Sequence, residues 1–66
     1  MRLFLYILDL NEGMPDYIVF KAENEPKEVT VLKSLEAHYK DVVYVDDWYE
    51  IKEHQLRVLD CLVIEL

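Results

Sequence analysis

The least polar stretch of the chain comes first. Arg2–Leu10 carries seven apolar or aromatic residues and only two charges, one near each end. Pleat alternation sends Leu3, Leu5 and Ile7 to one face and Phe4, Tyr6, Leu8 and Leu10 to the other. A strand apolar on both faces belongs inside a sheet, covered above and below. The segment is therefore expected to be the central strand, and the remaining residues have to supply its cover.

The pattern breaks at Asn11–Asp16, where Gly13 can adopt positive φ and Pro15 has no N–H to offer a ladder. Asp16–Ala22 then reads as a second strand, rich in aromatic and β-branched residues. Ile18, Phe20 and Ala22 share one face, and Tyr17, Val19 and Lys21 the other. The short loop predicts an antiparallel hairpin. Lys21 suggests a place near the sheet edge.

At Glu23-Asn24-Glu25-Pro26 the period changes from two to 3.6. Asn24 or Glu25 can cap, and Pro26 suits a first turn. A helix is predicted from Pro26 to about Lys40, with Val29, Val31, Leu32, Leu35 and Tyr39 as its core stripe. His38 falls on the polar face and reads as a surface spacer near the negative end of the dipole.

Asp41–Val45 predicts a third strand. Set beside the first, it makes Arg2–Leu10 the middle of the sheet. Two readings compete after Val45. Either the strand runs on to Ile51, or Asp47 caps a helix with Glu50 completing a capping-box pattern. The balance favours a short helix or turn over 47–57 and a last strand over 58–65. The fold class is then α+β: a small two-layer sandwich in one domain, 1–66. It has an antiparallel or mixed sheet of three or four strands on a ββαβ core, one main helix, and a C-terminal helix or strand.

Length sharpens the question of cover. With 66 residues and a single cysteine, Cys61, the chain cannot staple itself by an internal disulfide. One helix roofs one sheet face, so the second must be covered by the C-terminal segment or by a second copy, and a homodimer is expected. There is no signal-peptide pattern and no apolar run of membrane-spanning length, so a cytoplasmic, membrane-free protein is expected.

Charge narrows the partner. Fourteen acids against seven bases give a net charge of −7. Such a surface repels nucleic acid and anionic membranes, so no direct nucleic-acid binding is expected, and any charged partner should be basic.

Motifs of catalysis are missing. There is no phosphate-binding glycine loop, CxxC pair, HExxH or nucleophile elbow. Ser34 is the single serine, and Cys61 lies in an apolar run that suits packing. Asp46, Asp47, Glu50 and Glu53 could ligate Mg²⁺ or Ca²⁺ by oxygen chemistry, but the loop glycine of an EF-hand is lacking. No cofactor, metal or catalytic residue is assigned, and an enzyme is the least favoured class.

The distinctive stretch is Asp46-Asp47-Trp48-Tyr49-Glu50-Ile51-Lys52-Glu53. Trp and Tyr anchor interfaces, and surrounding carboxylates set the sign of the partner. Asp46, Asp47, Trp48, Tyr49, Glu50 and Glu53 are therefore the candidate partner-binding residues, with Glu23, Glu25 and Glu28 as an extension. The plainer reading is that Trp48 packs at the core edge and the acids form a solvated turn. The function read from sequence is a non-enzymatic protein-binding module: a small acidic inhibitor of a basic, nucleic-acid-handling protein. The alternatives are a homodimeric regulatory domain using its apolar sheet face and, last, a carboxylate- or metal-dependent enzyme.

Overall fold

The computed structural model describes residues 1–10, 13, 15–40 and 43–66. Along the chain run β1 (Arg2–Asp9), β2 (Pro15–Ala22), α1 (Glu28–His38), β3 (Tyr44–Ile51), α2 (Glu53–Leu56) and β4 (Leu62–Glu65). The strands form one four-stranded sheet in the order β3-β1-β2-β4. β1 is antiparallel to β2 and to β3, and β2 is parallel to β4. The result is the expected α+β fold with a mixed sheet and one main helix.

β1 occupies the interior of the sheet, as its two-sided apolarity requires. Gly13, at φ 82°, takes the left-handed conformation between β1 and β2. Asn11, Glu12 and Met14 of the same predicted loop lie outside the described residues. β2 is not an edge strand. β4 pairs along it, and Lys21 sits in register with Glu65. A single lysine was a weak edge signal, because its stem can lie on the sheet while its head meets a carboxylate or water.

Register shows which face each residue serves. Phe4, Tyr6 and Leu8 of β1 lie opposite Phe20, Ile18 and Asp16 of β2. Phe4, Tyr6, Leu8, Ile18, Phe20 and Ala22 pack with Val31 and Leu35 of α1 as one cluster. Tyr6 and Phe20 meet edge to face at 5.3 Å. Fully burying one Leu, Ile or Phe side chain stabilises by roughly 1.5–3 kcal/mol, so this cluster dominates the fold's stability.

α1 is shorter than its sequence pattern suggested. The helix begins two residues after Pro26: Glu25 to Lys27 have no regular secondary structure and Lys27 is extended, while proline biases the residue before it away from the helical region. The N-cap is Lys27, whose side chain makes no capping bond, in place of the expected Asn24 or Glu25. Of the predicted stripe only Val31 and Leu35 are buried; Tyr39 is half-buried, while Val29 and Leu32 are exposed. The buried partners of the helix lie on β1 and β2. Its flank toward β3 is therefore left open.

The C-terminal third departs furthest from expectation. The strand continues through Asp46–Glu50 to Ile51, and no helix begins at Asp47. Pairing with β1 along its length gives this segment the ladder bonds of a strand. Asp41 and Val42, the start of the predicted third strand, lie outside the described residues. A single helical turn follows at Glu53–Leu56, with the Gln55 side chain accepting from the Lys52 N–H at 2.7 Å. β4 is confined to Leu62–Glu65.

β3 and β4 stand on opposite edges, so residues 52–61 must cross the sheet. They cross behind it, on the face away from α1. Leu56 lines a cleft with Leu3, Lys21, Ile51 and Glu65, which all point to that face. Val19 points the same way and is fully buried. The C-terminal segment thus supplies part of the second cover.

Candidate partner-binding site

β3 holds five of the six predicted binding residues, and its register deals them to opposite sides. Trp48 stands opposite Tyr6 and Glu50 opposite Phe4, which turns both to the α1 side. Asp47 stands opposite Ile7 and Tyr49 opposite Leu5, which turns both to the rear. The register slips between Ile7 and Leu8, leaving Asp46 as the extra residue of a bulge. Glu53 lies past the end of the strand, at the start of α2. The six do not form one patch on one face. They share an edge instead, and every residue from Tyr44 to Glu50 is exposed.

Four of the six, Asp47, Trp48, Tyr49 and Glu50, have local ties. Glu50 takes the Arg2 guanidinium in a two-point ion pair, Nη2 to Oε1 at 2.7 Å and Nε to Oε2 at 3.0 Å. The Arg2 Cζ also sits 5.2 Å from the centre of the Phe4 ring. The hydrogen bond from Arg2 holds the Glu50 carboxyl below its ordinary range. Asp47 accepts from neutral donors only: the Trp48 N–H at 2.8 Å and the Tyr49 hydroxyl at 2.8 Å. That bond is the main cause pushing the Tyr49 phenol upward. So Glu50 is paired with a cation in place, whereas the donors to Asp47 are neutral.

Trp48 is both packed and available. Its ring stacks on Tyr6 at 5.9 Å and 18°, and meets Phe4 at 6.0 Å and 57°. Yet 37% of the residue remains open. The open part lines a groove of about 510 Å³ between α1 and β3, with Leu32, Tyr44 and Val45 among its walls and Glu25 and Glu28 on its rim. Two of the three acids proposed to extend the patch thus line the same groove as Trp48, while Glu23 is not part of the groove wall. Tyr6, Tyr44 and Val45 were not anticipated. Their contribution follows from the sheet register and the off-centre seat of the helix, neither of which a local pattern encodes.

Two other groups read from sequence resolve simply. His38 Nδ1 bonds to the Ser34 carbonyl oxygen at 2.9 Å within its own exposed helix turn. Cys61 is half-buried, and that burial, with Asp16 and Asp60 nearby, raises its thiol pKa. Such a thiol is a poor nucleophile. Among the described residues no three His, Cys, Asp or Glu side chains are grouped to hold a metal ion, and none of the helices is long and apolar enough to cross a membrane.

The chain matches no protein-family model, no curated protein and no solved structure.

Proposed function

We propose that the protein is a non-enzymatic binding module whose β3 edge captures a basic protein partner, such as one that handles nucleic acid. The observation that carries this reading is an edge strand exposed from Tyr44 to Glu50, with Asp46 and Asp47 beside Trp48 and Tyr49. An edge presents the side chains of both faces to a partner that arrives edge-on, so the split register does not separate them functionally. Acidic edge residues and a bulge also keep one copy's edge from pairing with another's. The same charges attract a cationic surface and raise its rate of encounter.

The test uses a combined Asp46→Asn, Asp47→Asn, Glu50→Gln, Glu53→Gln variant. These positions are exposed, so the chain still folds, with a lower melting point from the lost Arg2–Glu50 pair; circular dichroism below that melting point checks that the sheet is present. Capture of basic proteins from nuclease-treated lysate should be lost in the variant. For the natural protein, capture should weaken steeply between about 50 and 500 mM salt, as screening shortens the reach of exposed charges. Equal capture by the variant would sink the proposal.

A second reading has its own support. On the face away from α1, Tyr49, Leu5, Val19 and Val63 form an apolar row across all four strands. Tyr49 and Val63 are exposed and Leu5 is half-buried, while Val19 between Leu5 and Val63 is fully buried, so the open surface lies at the two ends of the row. This row would suit a second copy of the chain, the homodimeric alternative.

A further inference from the structure

Three grooves among the described residues differ in their charge. The cleft behind the sheet mixes Arg2, Lys21 and Lys52 with Glu50, Glu53 and Glu65. The groove at the far end of α1 carries one acid, Glu36, and one base, Lys40. The groove between α1 and β3 holds Glu25 and Glu28 and no base at all. Its other walls are aromatic or aliphatic: Tyr6, Tyr44 and Trp48 with Pro26, Val31, Leu32, Val43 and Val45. Glu25 lies close enough to bear on both the Tyr6 hydroxyl and Arg2. A space of about 510 Å³ falls within the ~300–1,000 Å³ of ligand pockets generally.

The molecule already shows what this combination of groups holds. One step along the same face, Arg2 lies against the Phe4 ring and closes two-point contacts on Glu50. Phe4 and Trp48 are neighbours, 6.0 Å apart. The groove repeats those elements, with Trp48 as the ring and Glu25 and Glu28 as the carboxylates, and has no guanidinium of its own. A planar cation can stack on an indole and bond carboxylates in its own plane at the same time.

The geometry points to an arginine side chain of a partner protein's extended segment as the occupant of the α1–β3 groove. The guanidinium rests on Trp48 between Glu25 and Glu28, and the segment's apolar side chains meet Leu32 and Val45. This rests on the proposed capture of a basic partner, and specifies where that partner is read.

Trp48 is the only tryptophan, so its emission reports its own surroundings, and the Glu25→Gln, Glu28→Gln variant ties a change in it to the groove. The probe is the blocked peptide acetyl-Ala-Arg-Val-Arg-Ala-amide, titrated at low salt beside the same peptide with citrulline at both arginines. The arginine peptide should change Trp48 emission saturably. The citrulline peptide and the Glu25→Gln, Glu28→Gln variant should each weaken binding about tenfold, the scale of two exposed charge contacts. The variant Glu36→Gln, Asp60→Asn, exposed and outside both the groove and the β3 edge, should bind as the natural protein does.

No saturable change in emission, equal affinity for citrulline, or wild-type binding by the Glu25→Gln, Glu28→Gln variant would each overturn the assignment. So would acetyl-arginine-amide binding as tightly as the peptide, since a small guanidine would then be the ligand. The two proposals fail separately. Partner capture lost only in the β3-edge variant, and retained when Glu25 and Glu28 are changed, removes the groove and leaves the edge. Peptide binding in the groove with capture unaffected by the edge variant removes the edge alone.

Discussion

Tyr39 shows how one residue joins three parts of the chain. It closes α1, its N–H bonding to the Leu35 carbonyl at 2.9 Å, and its ring packs against the core. Its hydroxyl donates to Asp16 Oδ2 at 2.9 Å, near the start of β2. The other oxygen of Asp16 accepts the Tyr17 N–H at 2.9 Å. Burial first, and the Asp16 bond second, push the Tyr39 phenol up to about 12. A phenol ionises more readily in the unfolded chain, near its ordinary value of 10. The stabilisation is therefore complete below pH 10 and is lost as pH rises toward 12. Tyr39→Phe should cost about 0.5–1.5 kcal/mol at neutral pH by losing a hydrogen bond to a carboxylate that can turn to water. Urea melts of both proteins check this, and their midpoints should converge as pH climbs past 10. A constant gap would mean that the phenol is not what titrates.

At the scale of the element, β3 is held by its ladder to β1 and by the Arg2–Glu50 pair at the end of that ladder. Trp48 adds its ring contacts with Tyr6 and Phe4, while no residue from Tyr44 to Glu50 is fully buried. The edge is correspondingly sensitive to the state of Glu50. Arg2 holds that carboxyl below its ordinary value of 4.5. A lowered carboxylate stabilises the folded chain above its unfolded value, and the contribution fades as pH falls through the folded value. Glu50→Gln should therefore melt lower than the natural protein at pH 7. The difference should shrink as the solution is acidified below the ordinary glutamate range. Hydrogen exchange should place the loss at the Ile51 end of β3. A melting difference that persists unchanged in acid would show that the ion pair does not fasten this edge.

For the whole molecule the question is how two faces of one sheet are covered by so short a chain. α1 roofs the half of the sheet made by β1 and β2, and the 52–61 crossover shelters Leu3 and Val19 behind it. What remains open is the rear row through Tyr49, Leu5 and Val63, and on the front the groove beside β3. The homodimer reading belongs at this scale. If the rear row pairs between copies, sedimentation should give twice the chain mass at micromolar concentration, and Tyr49→Lys should return it to monomer. Apolar burial is largely insensitive to salt, so that dimer should persist where electrostatic capture is lost. A monomer throughout would leave the groove and the edge as the available surfaces.

How much of this was legible beforehand differs residue by residue. Leu3 through Leu8 announced an interior strand because both pleat faces were apolar, and that constraint is local. Val31 and Leu35 followed from a 3.6-residue period, and Gly13 from its freedom at positive φ. The stretch Asp46–Ile51 was misread because its capping signals and its strand propensity are both local and nearly balanced; pairing with β1 decided between them. The candidate residues were found as a sequence cluster, but which of them face the same way depends on register, and a one-residue bulge at Asp46 changes it. The placing of Trp48, Glu25 and Glu28 around one groove was beyond any pattern, since it depends on where α1 sits over the sheet. By itself the sequence determined the hydrophobic periods, the turn positions and the sign of the surface, because these reside in single residues and near neighbours. The strand order, the crossover behind the sheet and the groove were decided only by tertiary structure, because each depends on the contacts between segments distant in the chain.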